Sequence, residues 1–102
     1  MAVLYITEYV RQGRDGAGYN MVVADEPPVA QQTVAITAGS VQSTAFNNDT
    51  KFVRISTDAV CSIEFGTNPT ASATKRRMPA NTTEYFSIPG GAGYKVAVIT
   101  NT

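Results

Sequence analysis

Few side chains in this sequence could carry out chemistry, and none stands in a recognisable catalytic arrangement. The chain of 102 residues has no histidine and a single cysteine, Cys61. Without histidine it lacks the usual general base for a serine or cysteine nucleophile, and also the commonest zinc ligand. Cys61 alternates with Ile63 and Phe65 along an apolar stretch, which favours a buried structural thiol over a reactive one.

The carboxylates give no stronger indication of catalysis. Glu64 and Glu84 occupy outward positions of two separate predicted strands, and a pair of carboxylates could serve glycoside hydrolysis. Nothing in their spacing brings the two together, and no acidic run has the spacing of a calcium-binding loop. We therefore expect a protein that is not an enzyme, with no catalytic residues, no cofactor and no metal site.

The basic residues are unevenly distributed along the chain. Eight basic and eight acidic residues cancel, yet Lys75, Arg76 and Arg77 are consecutive. They belong to residues 66–80, a segment of mostly small residues without a strand pattern, which predicts an exposed loop that is functional or mobile. The trio could bind phosphate or an acidic protein partner, or it could be an ordinary solvated loop. The balanced charge and the lack of an aromatic among them favour neither nucleic acid nor a membrane as partner.

Tyrosines provide the better indication of a binding surface. Tyr5 and Tyr9 share one face of the first predicted strand, and Tyr85 faces away from Phe86. Exposed tyrosines on sheets are common at protein interfaces and in sugar-binding sites, although ordinary half-buried tyrosines are the alternative. The candidate partner interface therefore consists of Tyr5, Tyr9 and Tyr85 together with the basic trio.

Short strands must position these residues. Apolar and polar residues alternate in "FVRIST" and in "CSIEFG", and the short link between them predicts a hairpin. In total, about eight short strands at ~8–12-residue spacing predict an all-β protein. The expected architecture is an antiparallel β-sandwich, of which a jelly roll is one form.

The length suits a single domain spanning residues 1–102. No apolar run approaches the ~18 residues that cross a bilayer, and the first residues lack a signal-peptide pattern, so we expect no export and no membrane. The stretch "VLYITEYV" at residues 3–10 is nearly all apolar and precedes the proline-broken "DEPPVAQ". Residues 1–31 could thus form an extended N-terminal arm or an interface segment, with residues 3–10 pairing in their own sheet or adding to a neighbour's.

Residues 51–101 carry a distinctive pattern. It comprises a strand ending in "RISTD", a strand "CSIEFGTNPTA", a basic loop, "MPANTTEYFSI", a glycine turn and "KVAVI". This pattern resembles small β-rich virion proteins encoded by tailed bacteriophages. The resemblance implies a capsid decoration (cement) protein, made in the host cytoplasm and located on the capsid surface. Such a protein would bind the major capsid protein as a homo-oligomer, a dimer or a trimer, and stabilise the head.

Under this resemblance, Lys75, Arg76 and Arg77 would meet an acidic capsid surface and orient the docking. Two other virion roles stay open. One is a surface module that recognises carbohydrate or the host through Tyr5 or Tyr85, and the other is a head–tail completion or tail protein that forms a ring. Glycan binding would favour the first, and copy number per virion separates the second from decoration.

Overall fold

The structure is a computed structural model that describes residues 2–101, and this part of the chain contains strands and no helix. None of residues 2–101 therefore belongs to a helix that could cross a membrane. The strands are β1 (Val3–Tyr9), β2 (Gln12–Arg14), β3 (Asn20–Ala24), β4 (Ala30–Ala35), β5 (Val41–Gln42), β6 (Phe52–Thr57), β7 (Cys61–Gly66), β8 (Arg76–Met78), β9 (Thr82–Ser87) and β10 (Lys95–Thr100).

Two four-stranded antiparallel sheets form the body of the molecule. The first sheet has the order β4-β1-β6-β9, and the second has the order β5-β10-β7-β8. Strands β2 and β3 form a separate two-stranded hairpin between β1 and β4. The predicted all-β, sandwich-like antiparallel architecture is confirmed, and the jelly roll as its finer description stays a prediction.

The core lies between the two sheets because alternate side chains of each strand point inward. The first sheet contributes Leu4, Ile6, Val34, Val53 and Ile55, and the second contributes Cys61, Ile63, Met78, Val96 and Val98. Cys61 is fully buried, as its alternation with apolar neighbours predicts. This core accounts for the inward side chains of both sheets, and the side chains on their outer faces have other surroundings.

The link between β6 and β7 does not form the predicted hairpin. β6 pairs with β1 and β9, whereas β7 pairs with β10 and β8. Residues 58–60 therefore carry the chain from one sheet to the other. The alternation in "FVRIST" and "CSIEFG" is real, but it looks the same for two strands that pair and for two strands that face each other across a shared core.

β1 is a central strand of the first sheet. It pairs along one edge with β4 and along the other with β6. Leu4 and Ile6 point into the core, whereas Tyr5 points outward. Residues 3–9 are thus an integral part of the sandwich, and within residues 2–31 the segment that departs from it as an arm is the β2–β3 hairpin.

The loop predicted at residues 66–80 is folded against the protein. Gln42 Nε2 donates to the carbonyl of Pro69 at 2.8 Å, and Asn101 Nδ2 donates to the carbonyl of Ala73 at 3.2 Å. Ala71, in the middle of the segment, is buried. Residues 67–75 therefore pack against the outer face of the second sheet, while most of their side chains stay exposed, as the sequence predicts. The small residues permit this close packing against a flat sheet.

Candidate interaction surface

The two outer faces of the sandwich differ in how they are covered. Residues 67–75 lie over the second sheet, and Ala97 on its covered side is fully buried. On the first sheet Tyr5 is 47% exposed and Tyr85 is 57% exposed. We call the outward positions of β4, β1, β6 and β9 the open face.

The open face is aromatic and polar but carries little charge. Tyr5 lies opposite Thr33 on β4 and Ser56 on β6, and Tyr85 lies opposite Arg54. Among the outward positions of these four strands, Arg54 is the charged residue. Tyrosine and arginine with few carboxylates is the composition that protein interfaces favour.

An aromatic row crosses one end of the open face. The rings of Tyr9 and Phe52 stack with centroids 5.3 Å apart, and the rings of Phe52 and Tyr85 are 6.3 Å apart. The row places a large apolar surface on neighbouring strands, of which only the Tyr85 end is well exposed.

Tyr9 lies inside the molecule instead of on the open surface. It is 4% exposed, and its hydroxyl donates to Glu26 Oε2 at 2.7 Å. Burial is the main cause that raises the pKa of Tyr9 to about 12, and the hydrogen bond to Glu26 is the second. In the isolated chain, Tyr9 therefore holds the residues after β3 against the first sheet and does not itself present a contact surface.

The β2–β3 hairpin projects from the sandwich with apolar side chains in water. Val22 is 93% exposed, Val23 is 55% exposed and Met21 is 44% exposed. Gln12 pairs with Ala24 and Arg14 with Asn20, so residues 21–23 lie opposite Gly13 alone. This irregularity makes β3 bulge, with Val22 at its apex.

The turn at the tip of the hairpin is well defined. The carboxylate Oδ1 of Asp15 accepts hydrogen bonds from the backbone N–H of Ala17 at 2.9 Å and of Tyr19 at 3.0 Å. Gly18 has a φ of 88°, a backbone conformation that residues other than glycine rarely adopt. At the base, Arg11 and Asp25 form an ion pair of 3.1 Å. These contacts shape a ribbon that neither sheet packs against extensively.

A groove of about 750 Å³ lies between the hairpin and the open face. Val22 and Val23 line one side, and Phe52 and Tyr85 line the other. Glu26 also lines it, but this carboxylate accepts the hydrogen bond from the Tyr9 hydroxyl. We call this feature the apolar groove.

Sequence reasoning included residues 21–23, "MVV", within the candidate arm or interface segment 1–31 but did not single them out as an interaction site. A signal was present in that stretch. Three consecutive apolar residues without alternation leave a strand no polar face, so a partner must cover both sides or one side stays in water.

The basic trio does not form one patch. Lys75 Nζ pairs with Glu64 Oε2 at 3.2 Å, and the guanidinium carbon of Arg76 lies 5.1 Å from the centroid of the Phe86 ring. Arg77 is exposed and, by its place opposite Ser62, points toward the outer side of the second sheet. Arg76 and Arg77 belong to the edge strand β8, which corrects the prediction of a basic loop. The structure thus brings Tyr5 and Tyr85 to one face and places Arg77 on another.

The carboxylates that sequence reasoning considered for catalysis lie apart. Glu64 is on β7 in the second sheet, and Glu84 is on β9 in the first. Glu84 lies opposite Ile55, on the inward side of β9, so its predicted outward position is wrong. No three His, Cys, Asp or Glu side chains in residues 2–101 lie close enough together to hold a metal ion.

One carboxylate that sequence reasoning did not single out is buried. Glu8 is 2% exposed, and its Oε1 accepts hydrogen bonds from the Asn47 backbone N–H at 2.7 Å and from the Thr50 hydroxyl at 2.8 Å. Its other oxygen accepts a longer bond of 3.4 Å from Gln32 Nε2. Glu8 therefore stabilises the turn that precedes β6, and these hydrogen bonds give Glu8 a structural role.

No protein-family model matches the chain, and searches of curated proteins and of solved structures found no match either. The candidate surface is accordingly defined by the geometry of the chain itself. It consists of the open face, the apolar groove and the projecting β2–β3 hairpin.

Proposed function

We propose that this chain is a structural protein of a tailed-phage virion, a capsid decoration (cement) protein that binds the lattice of the major capsid protein and stabilises the head. The observation that carries the proposal is the open face, an uncovered sheet surface on which Tyr5 and Tyr85 are exposed beside an apolar groove. The pattern of residues 51–101, which resembles phage virion proteins, supports the choice of partner.

A lattice-binding protein needs contact area more than reactive groups. Stable protein interfaces bury roughly 800 Å² per partner, and tyrosine supplies much of their binding energy. The open face offers four adjacent strands with tyrosine and hydroxyl side chains for such contacts. Every copy bound to the assembled shell stabilises it by mass action, because the binding favours the assembled over the dissociated state.

Of the basic trio, Arg77 is the residue that this proposal assigns a role in capsid binding. Lys75 is paired with Glu64, and Arg76 lies over Phe86, so both have contacts within the molecule. Arg77 is exposed on the outer side of the second sheet, away from Tyr5 and Tyr85, so it would steer the chain toward an acidic capsid surface through its long-range field and not through contact at the open face. Charges that steer in this way act mainly on the association rate and on the salt dependence of binding.

Copy number tests the proposal directly. Virions would be purified from a lysate of the source organism, and the chain quantified against the major capsid protein by mass spectrometry. Decoration predicts many copies in a fixed ratio to the capsid protein. A copy number that fits a single ring would instead indicate a head–tail or tail protein, and complete absence from virions would refute the proposal.

A binding assay then tests the surface. Capsids depleted of the protein would be mixed with purified chain and sedimented. Tyr5→Ala should weaken co-sedimentation, whereas Thr70→Ala, an exposed position on the segment covering the second sheet, should not. Equal binding by the two variants would contradict docking through the open face.

Carbohydrate or host recognition is a second candidate, and the apolar groove favours it. Phe52 and Tyr85 lie side by side there, with Gln12 and Ser87 also lining the groove. Aromatic rings pack on the apolar faces of sugars, and amide and hydroxyl groups provide their hydrogen bonds. A glycan array probed with the wild-type chain and with Tyr85→Ala tests this candidate, which requires binding that the substitution abolishes.

A further inference from the structure

The β2–β3 hairpin exposes an apolar side chain, and the apolar groove beside it could accept such a side chain. Val22 stands at the apex of the bulge in β3 and is 93% exposed, so the part of the chain that the structure describes leaves it almost uncovered. The groove beside it is open and is lined by Val23, Phe52 and Tyr85. An isolated chain thus has an apolar projection and an apolar recess, and water reaches both.

We propose that a second copy of this chain fills the groove, with Val22 of each copy inserted against Phe52 and Tyr85 of the other. The resulting assembly is a two-fold symmetric dimer. The proposal specifies the contact of the homo-oligomer that the resemblance to phage virion proteins implies, but it rests on the geometry of the hairpin and not on attachment to a virion.

The position of Val22 favours a closed dimer over an open chain of copies. Val22 itself lines the groove, so the projection stands at the rim of the recess. A two-fold axis near that rim places each projection over the other copy's recess, and both contacts form at once. A projection and a recess on distant parts of the molecule would instead produce a head-to-tail assembly that does not close.

Charge and size are compatible with this occupant. Met21, Val22 and Val23 are uncharged, and Phe52 and Tyr85 offer aromatic rings. The charged residue that lines the groove is Glu26, and its carboxylate already accepts the hydrogen bond from the Tyr9 hydroxyl, so this contact need not bury a charge without a partner. A groove of about 750 Å³ also holds several side chains of this size. Tyr5 does not line the groove, so part of the open face stays accessible in the dimer.

The first experiment measures oligomeric state with the purified whole chain over a range of concentrations, by sedimentation velocity. Wild type should form a dimer. Val22→Asp should raise the dimer dissociation constant at least about tenfold, because it brings a charge into an apolar contact. Tyr85→Ala should weaken the dimer as well, and Thr70→Asp, an equally new charge on the segment that covers the second sheet, should leave it unchanged.

A cysteine placed at the apex provides an independent readout. Cys61 is buried, so Val22→Cys adds an exposed thiol that a bifunctional maleimide can join to its counterpart in the second copy. Cross-linking of Val22→Cys but not of Thr70→Cys supports the proposal. A wild-type chain that is monomeric at all concentrations overturns it, and so does a dimer that Val22→Asp and Tyr85→Ala leave intact.

Since no capsid takes part, failure of this dimer is distinguishable from failure of the proposed virion function. Glycan binding in the groove by a monomeric chain would also overturn the inference, because the groove would then have a different occupant.

Discussion

Arg76 and Phe86 belong to different sheets, and the Arg76 guanidinium carbon lies 5.1 Å from the centroid of the Phe86 ring. Arg76 is on β8 at the edge of the second sheet, and Phe86 is on β9 at the edge of the first. Their contact closes one side of the sandwich, where the two edge strands do not hydrogen-bond to each other. A residue that the sequence presents as part of a binding patch therefore makes a contact between the two sheets.

Replacing Arg76 should consequently cost stability, whereas replacing its neighbour should not. Arg76→Ala is expected to lower the free energy of unfolding by about 1 kcal/mol, since it removes a cation–π contact and the packing of the side-chain stem. Arg77→Ala, at an exposed position on the same strand, is the matched control and should change it by less than about 0.5 kcal/mol. Urea unfolding measures both, and equal losses would contradict the assignment.

The hydrogen bond between Tyr9 and Glu26 should make stability depend on alkaline pH. Folding raises the pKa of Tyr9 from 10.0 to about 12, so the folded state retains a proton that the unfolded chain loses. The stabilisation is fully present below pH 10 and declines as the pH rises from 10 to about 12. Tyr9→Phe removes this titration while leaving the other tyrosines in place.

Unfolding free energies of wild type and Tyr9→Phe should therefore be compared from neutral to alkaline pH. The advantage of wild type should be constant up to about pH 10 and shrink above it. A difference that stays level through this range would show that the Tyr9 hydroxyl contributes no pH-dependent stability.

Glu8 should be essential to the turn before β6. Glu8→Ala leaves the Asn47 N–H and the Thr50 hydroxyl without their acceptor and is expected to cost about 3 kcal/mol. Glu8→Gln keeps one acceptor oxygen and should cost about 1 kcal/mol. Asp49→Asn, an exposed carboxylate on the same turn, serves as the control and should be nearly neutral. Thermal or urea unfolding gives the series, and similar losses for Ala and Gln would argue against the hydrogen-bonding role.

The thiol of Cys61 should be unreactive in the folded protein. It is fully buried, burial raises its pKa, and its Sγ lies 3.6 Å from Thr57 Oγ1. A higher pKa lowers the thiolate fraction at a given pH, which slows attack on a disulfide reagent. Reaction with a chromogenic disulfide at mildly alkaline pH should be slow in buffer and rapid in denaturant. Comparable rates in the two conditions would mean that the thiol is accessible.

Under the proposed function, charge and aromatic contacts should affect capsid binding in different ways. Arg77→Glu should slow association and reduce its sensitivity to salt, because a charge outside the contact surface acts through long-range steering. Tyr5→Ala should weaken binding at every salt concentration, since it removes buried contact area. Association kinetics measured on immobilised capsids at low and high salt separate the two effects. If Arg77→Glu behaved like wild type at low salt, Arg77 would have no steering role.

The sequence by itself determined the fold class and most inward positions. Alternation in β6 and β7 correctly predicts Val53, Ile55, Cys61 and Ile63 as core, because the side-chain period of two follows from local strand geometry. It also predicts that Tyr85 faces away from Phe86, and Tyr85 is exposed. These are properties of single strands, which neighbouring residues along the chain specify.

Only the tertiary structure decided which strands pair and which side chains are covered by other parts of the chain. β6 and β7 belong to opposite sheets, Tyr9 is covered by Glu26, and Lys75 and Arg76 are held by Glu64 and Phe86. Each of these relationships joins residues whose proximity depends on how the sheets stack, and periodicity along one strand contains no information about its partner. The open face and the exposed Val22 emerge for the same reason, because exposure depends on what the rest of the chain leaves uncovered.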